Sequence, residues 1–543
     1  MKEHSKRPSR WEAFLAMAAV CTCLGIAVLP GVAAAAPSET AIQAIPFTAG
    51  PAHEFHGDLR RIPTARAGVR DNVPGPWQPQ GSPQGLTAVD PAKTAPSTTA
   101  PATSTAALGS FDGLRFNQGG CGWPPDTNGD VSETHYIQTV NCALGIFDKA
   151  TGGLLYNPNF NTFFSAGKTG TPCDNNNQGD PVVLYDTFGK HWIIADFAWS
   201  SSAGPFYECI AVSKTGDPLN GGWNYFALNV GSYLPDYPKL GVWSDGIYMS
   251  ANMFTYSGSF KYVQLWAINR AQLEASTPTL SGFTSQLPSQ VSGVSVFSLL
   301  PSNAKAAAGA PPLGRPNYFA SIWGSYQLRV WKFLVNAGWT GATVTGPTNV
   351  PIATFNVGPS RVPELAGNTI DTLSYRLMMQ NQYTNSAANG IESLWLTHTV
   401  GNGGSPNLAQ LRWYQLPVTG NVIGSTPLQQ STYAPADTVN RFMPSLAVNA
   451  AGAMAIGYNA SNASMFPGIR YAARCVGDPD NSLRAEATML DGTGAQTYTN
   501  RWGDYSAMTL DPDGSTFWYT TQYYASTGSS WSTRIGKFTV SCQ

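Results

Sequence analysis

Charge is what this sequence has least of. Lys, Arg, Asp and Glu make only 12% of its 543 residues, 31 basic against 32 acidic, about half the share of an ordinary globular chain. That scarcity excludes a coiled coil or a helical bundle, which are built on Glu, Lys, Leu and Ala. No Lys/Arg block stands outside the extreme N-terminus and the formal net charge is −1. A nucleic-acid binder that neutralises phosphates needs a basic footprint, so none is expected as a partner. Histidine is equally sparse, with six residues, and no C-x-x-C occurs, which removes a Cys/His zinc site. His135, His191 and His398 stand apart, no Ser/His/Asp set is visible, and no G-x-S-x-G elbow exists, against a serine hydrolase. Gly401-Asn402-Gly403-Gly404 lacks the lysine of a phosphate-binding loop.

What is present is Gly (55), Pro (40), Ser/Thr and aromatic residues at 12%. Aromatics at that level do not suit a chain without a core, and the mixture reads as all-β. Lys2, Lys6, Arg7 and Arg10 precede an apolar run from Phe14 to Val32, and Ala33 to Ala36 offer a cleavage site. Residues 1–36 therefore read as a secretory signal peptide. Its apolar run is near the lower limit for crossing a bilayer. No other segment is long and apolar enough, so no membrane span is expected once the signal is gone. The expected location is secreted, extracellular or periplasmic. Cys21 and Cys23 leave with the signal. Cys121, Cys142, Cys173, Cys209, Cys475 and Cys542 remain, and an even count in an exported chain reads as three disulfides with fifteen possible pairings. Neighbour pairing, Cys121–Cys142, Cys173–Cys209 and Cys475–Cys542, is the reading taken. Residues 37–109 are Ala-, Pro-, Ser- and Thr-rich without apolar periodicity and read as a flexible linker.

From residue 110 to 543 a loose unit repeats. A polar or charged residue leads a short alternating strand, a turn with Asp, Asn or Gly follows, and a second aromatic strand comes next. Asp180-Pro-Val-Val-Leu-Tyr-Asp186 with His191-Trp-Ile-Ile-Ala-Asp-Phe197 shows it best. The other leads are Asp126, Asp236, Arg315, Asp371, Arg441 and the pair Arg501 and Asp504. Seven such units with no break between them predict a seven-bladed β-propeller. A pair of β-sandwiches is the alternative.

Four strings carry a resemblance: PPDTNGD (124–130), GDPVVLYD (179–186), DYPKLGVWSDGIYMS (236–250) and RWGDYSAMTLDPDG (501–514). They resemble those of a broad group of exported bacterial β-propeller proteins. The resemblance covers 110–543 and implies a fold, not a reaction. The chain is more distantly similar to sialidase-type propellers. It lacks their Ser-x-Asp-x-Gly-x-Thr-Trp box, which puts sialidase activity itself in doubt; Ser244-Asp245-Gly246 and Asp511-Pro512-Asp513-Gly514 occupy comparable turns.

In a propeller the first strand of each blade lines the central channel, so residues just before it converge. Here that gathers Asp126, Asp180, Asp236, Arg315, Asp371, Arg441, Arg501 and Asp504. Guanidinium forks suit carboxylates and carboxylates accept from hydroxyls, which is the chemistry of an extracellular glycan. Asp180, Asp236 and Asp504 are the candidate acid, base or nucleophile of a glycoside hydrolase or polysaccharide lyase. Arg315, Arg441, Arg501 and Asp371 would clamp the substrate, with Tyr237, Tyr505 and Trp502 as stacking faces or polar tips. Two alternatives stay open. The same face can serve a noncatalytic adhesion module that recognises a protein or cell-surface partner, or the Asp residues can simply cap backbone N–H groups and pair with Arg. One cofactor is suggested: Asp126-x-Asn128-x-Asp130 has the alternate oxygens of a calcium loop, or of an Asx-turn. If the export reading holds, mass spectrometry of the exported protein finds an N-terminus near Ala36 and six cysteines blocked to alkylation. Six free thiols refute it.

Overall fold

A computed structural model describes residues 41–64, 93–94 and 105–542, apart from Ser289, Ser292, Gly293, Gln380 and 387–389. The expected signal peptide and much of the expected linker lie outside these residues. The described chain is all-β, and its strands run in successive antiparallel meanders. The leading strands are Asn128–Val131, Asn177–Asp186, Leu234–Val242, Leu300–Ala304, Asn381–Asn385, Asn440–Val448 and Ala507–Leu510. Each leading strand touches the next in this order, and Ala507–Leu510 returns to touch Asn128–Val131. The fourth and fifth meanders also join into one sheet through parallel pairing of Ser302 with Asn381.

The sequence dictates this locally. In Asn177–Asp186, Val182 and Leu184 enter one apolar cluster while Val183 and Tyr185 enter another. A strand buried on both faces must sit between stacked sheets. Its turn is set by Asp186, whose carboxylate accepts from the Phe188 amide at 2.7 Å and whose carbonyl accepts from the Lys190 amide at 2.7 Å. Disulfides join Cys121–Cys142, Cys173–Cys209 and Cys475–Cys542, with Cα–Cα distances of 5.7, 5.5 and 5.5 Å. The neighbour pairing holds throughout.

Where most leading strands begin, one residue adopts left-handed backbone: Asp126 (φ 50°), Asp180 (51°), Tyr237 (57°), Ser298 (49°) and Met443 (53°). The strand register slips at Gly179/Val182, Asp236/Lys239 and Phe442/Ser445, which marks bulges. A non-glycine residue there costs about 1–3 kcal/mol and persists only where surrounding contacts hold it. The contacts recur. The amides of Asp180, Ser298 and Met443 donate to side chains on the second strand of a preceding meander, or just past its end: Asn141 at 2.8 Å, Asn252 at 2.8 Å and Thr399 at 3.2 Å. The Tyr237 amide donates to Asp180 at 3.3 Å, and the Asp504 amide to Asp126 at 2.8 Å.

Three sequence expectations are corrected here. The fourth leading strand is Leu300–Ala304, and Arg315 precedes the second strand, Asn317–Trp323. The fifth is Asn381–Asn385, and Asp371 lies in a separate two-stranded hairpin with Arg361–Val362. In the fourth unit the more aromatic strand gave the stronger alternation. Finally, residues 41–63 are not a tether. Ala41–Gln43, Ile45–Pro51 and His53–Phe55 add edge strands to the fourth, third and second meanders. Leu59 and Ile62 are buried beneath them. Edge pairing uses backbone groups and needs no apolar periodicity, so composition did not betray it. Thr105–Arg115 likewise pairs with Ser532–Val540, so the folded part begins before residue 110.

At the far ends of the leading strands a single cation gathers neighbours. Lys305 Nζ donates to Asp130 at 2.6 Å and to the Tyr185 carbonyl at 3.2 Å. Thr509 donates to the other Asp130 oxygen at 2.6 Å. Both charged side chains are buried. Breaking such a pair costs about 3–5 kcal/mol because one charge is left uncompensated. Lys305→Met should therefore destabilise the protein by about that amount in denaturant unfolding. Adding Asp130→Asn should recover part of the loss.

Candidate functional site

At the opposite end, where the leading strands begin, the bulges bring Asp126, Asp180, Asp236, Asp504 and the rings of Tyr237 and Tyr505 together. The two ring centroids are 5.3 Å apart. Lys239, two residues beyond the Tyr237 bulge, places Nζ 3.2 Å from one centroid and 3.3 Å from the other. It is 2% exposed, a cation held against two aromatic faces. Burial pushes the Lys239 ammonium well below the usual lysine range, while Asp180, Asp504, Asp126 and Asp236 pull it back. Asp180 accepts from the Tyr505 hydroxyl at 3.4 Å as well as from the Tyr237 amide. The Tyr237 hydroxyl donates to the Asp504 carbonyl at 3.4 Å, and the Tyr505 hydroxyl to the Pro238 carbonyl at 3.2 Å.

Above this floor lies a more open mouth. Asp236, Asp371 and Arg501 are half-buried, with the Arg501 side chain 26% exposed. Arg501 donates to Asp504 at 2.9 Å. Burial works against its charge, but Asp504, Asp126 and Asp371 outweigh it and raise the guanidinium further. Burial, reinforced by Asp180 and Asp504 and opposed by Arg501 and Arg376, pushes the Asp236 carboxyl up to about 7. Burial also raises Asp371, whose carboxylate accepts from the Leu373 amide at 3.0 Å. Arg376 lies 5.4 Å from the Tyr237 ring and 5.3 Å from that of Phe297.

The structure thus brings together Asp126, Asp180, Asp236, Asp371, Arg501, Asp504, Tyr237 and Tyr505. It sends three expected residues elsewhere. Arg315 is forked onto Glu392 at 2.8 Å by two nitrogens, and Tyr383 shares that carboxylate. Arg441 is spent on Asp437 and Glu486. Trp502 is fully buried against Phe442 and Tyr524 and donates to Asn459 at 3.1 Å, so it offers no stacking face. The calcium-type spacing does not make a loop. Asn128–Val131 is a strand, and Asp126 and Asp130 bracket its ends. Asp126 accepts from Asn141 and the Asp504 amide, whereas Asp130 serves Lys305, Thr509 and two amides. Among the described residues no group of three His, Cys, Asp or Glu is arranged to hold a metal ion.

Sequence reasoning missed Lys239, Arg376 and Glu208. The signal available for Lys239 and Glu208 was a charge inside an otherwise apolar strand, in Leu234–Val242 and Phe206–Ser213. Glu208 is fully buried and neither carboxylate oxygen has a hydrogen-bond partner among the described residues. Burial, with Asp180 adding to it, raises its pKa well above the usual carboxylate range.

No protein-family model matches the chain. No curated protein matches it either. Solved structures with β-propeller-like folds are similar at low identity. Extracellular domains 1–2 of Drosophila semaphorin 1b are 7% identical over 80% of this chain and 87% of that one, with a TM-score of 0.35. The WD40 domain of SCAP from fission yeast is 10% identical over 76% and 82%, with a TM-score of 0.31. An ulvan lyase, a polysaccharide lyase, is 13% identical over 77% and 80%, with a TM-score of 0.27.

The Asp236 environment has a measurable sign. Its folded carboxyl titrates near 7 rather than at 3.8, so ionisation costs stability as pH rises through that window. Asp236→Asn removes the cost. Its melting midpoint should exceed that of the wild type at pH 8 and match it at pH 4.

Proposed function

We propose that the chain is an exported seven-bladed β-propeller whose channel mouth binds an extracellular glycan, with Asp236 as the proton-transferring group. The circuit of leading strands, in which Ala507–Leu510 returns to Asn128–Val131, supports the blade count. Three disulfides support an oxidising compartment. Among the described residues no helix is long and apolar enough to cross a membrane.

One observation carries the functional reading. A half-buried carboxyl titrating near 7 stands beside the Arg501–Asp504 ion pair at the more open end. A carboxyl tuned to neutral pH and set close to ionised groups is what general acid–base work requires. In this reading Asp371 takes hydroxyl donors of the sugar. Arg501, whose Nε has no hydrogen-bond acceptor among the described residues, takes an anionic substituent. Asp236, protonated, gives its proton to the leaving glycosidic oxygen while water adds to the anomeric carbon and returns a proton to the Asp236 carboxylate or to solvent. Tyr237, Tyr505 and Lys239 form the floor and fix the spacing of the carboxylates. They do not stack on the ligand. A second reading, recognition without turnover, draws on Asp126 and Asp180 being engaged by backbone amides and so removed from chemistry.

The protein should be screened against acidic and neutral polysaccharides, following reducing ends, unsaturated-uronate absorbance and binding heat together. Product release that falls about a hundredfold or more in Asp236→Asn supports acid–base catalysis. Binding without product makes the mouth a recognition site. Neither binding nor product with any glycan removes the proposal.

A further inference from the structure

A second polar recess lies away from the mouth, between the fifth and sixth meanders. It is a cleft of about 280 Å³ beside the turns that follow their leading strands. Arg474 and Trp395 line it, together with the polar side chains of Ser393, Gln415, Gln429 and Asn449.

Arg474 is the unusual member. It is 2% exposed, yet its one hydrogen bond among the described residues is a long one, Nη2 to the Asp478 carbonyl at 3.5 Å. Its Nε has no acceptor. Asp478 and Asp480 both favour its charge, but neither carboxylate hydrogen-bonds it among the described residues, and Arg484 holds Asp478 with two nitrogens at 2.8 Å each. The guanidinium carbon sits 5.7 Å from the Trp413 ring centroid, and the adjacent Cys475 is tied to Cys542. A buried guanidinium that is positioned but under-paired is costly to keep. Its planar fork matches a carboxylate.

The lining also carries the exposed carboxylate of Asp480, and its amide side chains supply hydroxyl recognition. Gln429 donates to Gln415 at 3.0 Å, and Gln415 donates to Ser393 at 3.0 Å, an amide chain along one wall. Trp395, anchored through Thr384 at 3.0 Å, contributes an indole. The volume lies just below the usual range for drug-sized ligands and suits a single ring. We infer that this cleft binds a uronic acid, with Arg474 on the carboxylate and the amide chain on the ring hydroxyls. The site is separate from the mouth and does not depend on the function proposed for it.

Calorimetry on the full chain with D-glucuronate, D-glucose and inorganic sulfate tests the assignment. D-glucuronate should bind saturably, with D-glucose and sulfate each at least about tenfold weaker. Arg474→Gln should weaken D-glucuronate by about tenfold or more. Val476 lines the cleft and is exposed, so Val476→Trp should obstruct it to a similar degree while leaving the buried core alone. Absence of saturable binding to the wild type overturns the proposal. So does sulfate binding as tightly as the sugar acid, or undiminished binding to Val476→Trp. If Arg474→Gln does not fold, Val476→Trp decides alone.

Discussion

Where the leading strands meet the chain is buried, and every backbone amide freed by a bulge must find an acceptor. That constraint organises this protein. Asn141, Asn252 and Thr399 each reach from a second strand, or from just past its end, to the left-handed residue of a later meander. At two junctions the acceptor is an aspartate, Asp180 for the Tyr237 amide and Asp126 for Asp504. These contacts set the order and spacing of the sheets. They also explain why acidic residues gather at one end of a chain so poor in charge.

Carboxylates placed to hold amides gather charge of one sign, and Lys239 stands among them. Its Nζ sits between two tyrosine rings, where the surrounding acids favour the charged form and burial opposes it more strongly. Burial, with Asp180 and Asp504 adding to it, pushes the Asp236 carboxyl up to about 7. The titratable character of the mouth is therefore a by-product of how the sheets are joined. The Lys305–Asp130 contact at the other end is different, a one-to-one pair with its remaining lone pairs filled.

Much of this was legible before any coordinates. Alternation and turn residues gave the hairpins, and cysteine parity with neighbour pairing gave all three disulfides. Convergence of strand leads found Asp126, Asp180, Asp236, Asp504, Arg501 and both tyrosines. Arg441 failed because it lies two residues before the bulge at Met443 and is claimed by Asp437 and Glu486. Arg315 reads as a lead because Asn317–Trp323 is more aromatic than Leu300–Ala304, so pattern strength points to the wrong strand. Lys239 and Glu208 were passed over because attention went to strand beginnings, whereas both sit inside strands. Arg474 had no signal in one dimension. Its significance lies in which partners its neighbours have already taken.

The edge strands from residues 41–55 run backwards across the molecule, from the fourth meander to the second. Gln43 bonds the carbonyl of Ala342, 299 residues away. Translation makes this belt before any strand it docks on, and Ala41–Gln43 has no edge to pair with until Ala342–Pro351 has been synthesised. A segment made early is thus completed late. It spends the interval as an unpaired β-forming stretch, the species most prone to wrong associations. Ile45-Pro-Phe-Thr-Ala-Gly-Pro51, with a proline near each end, is suited to that wait, since proline discourages strand pairing with strangers.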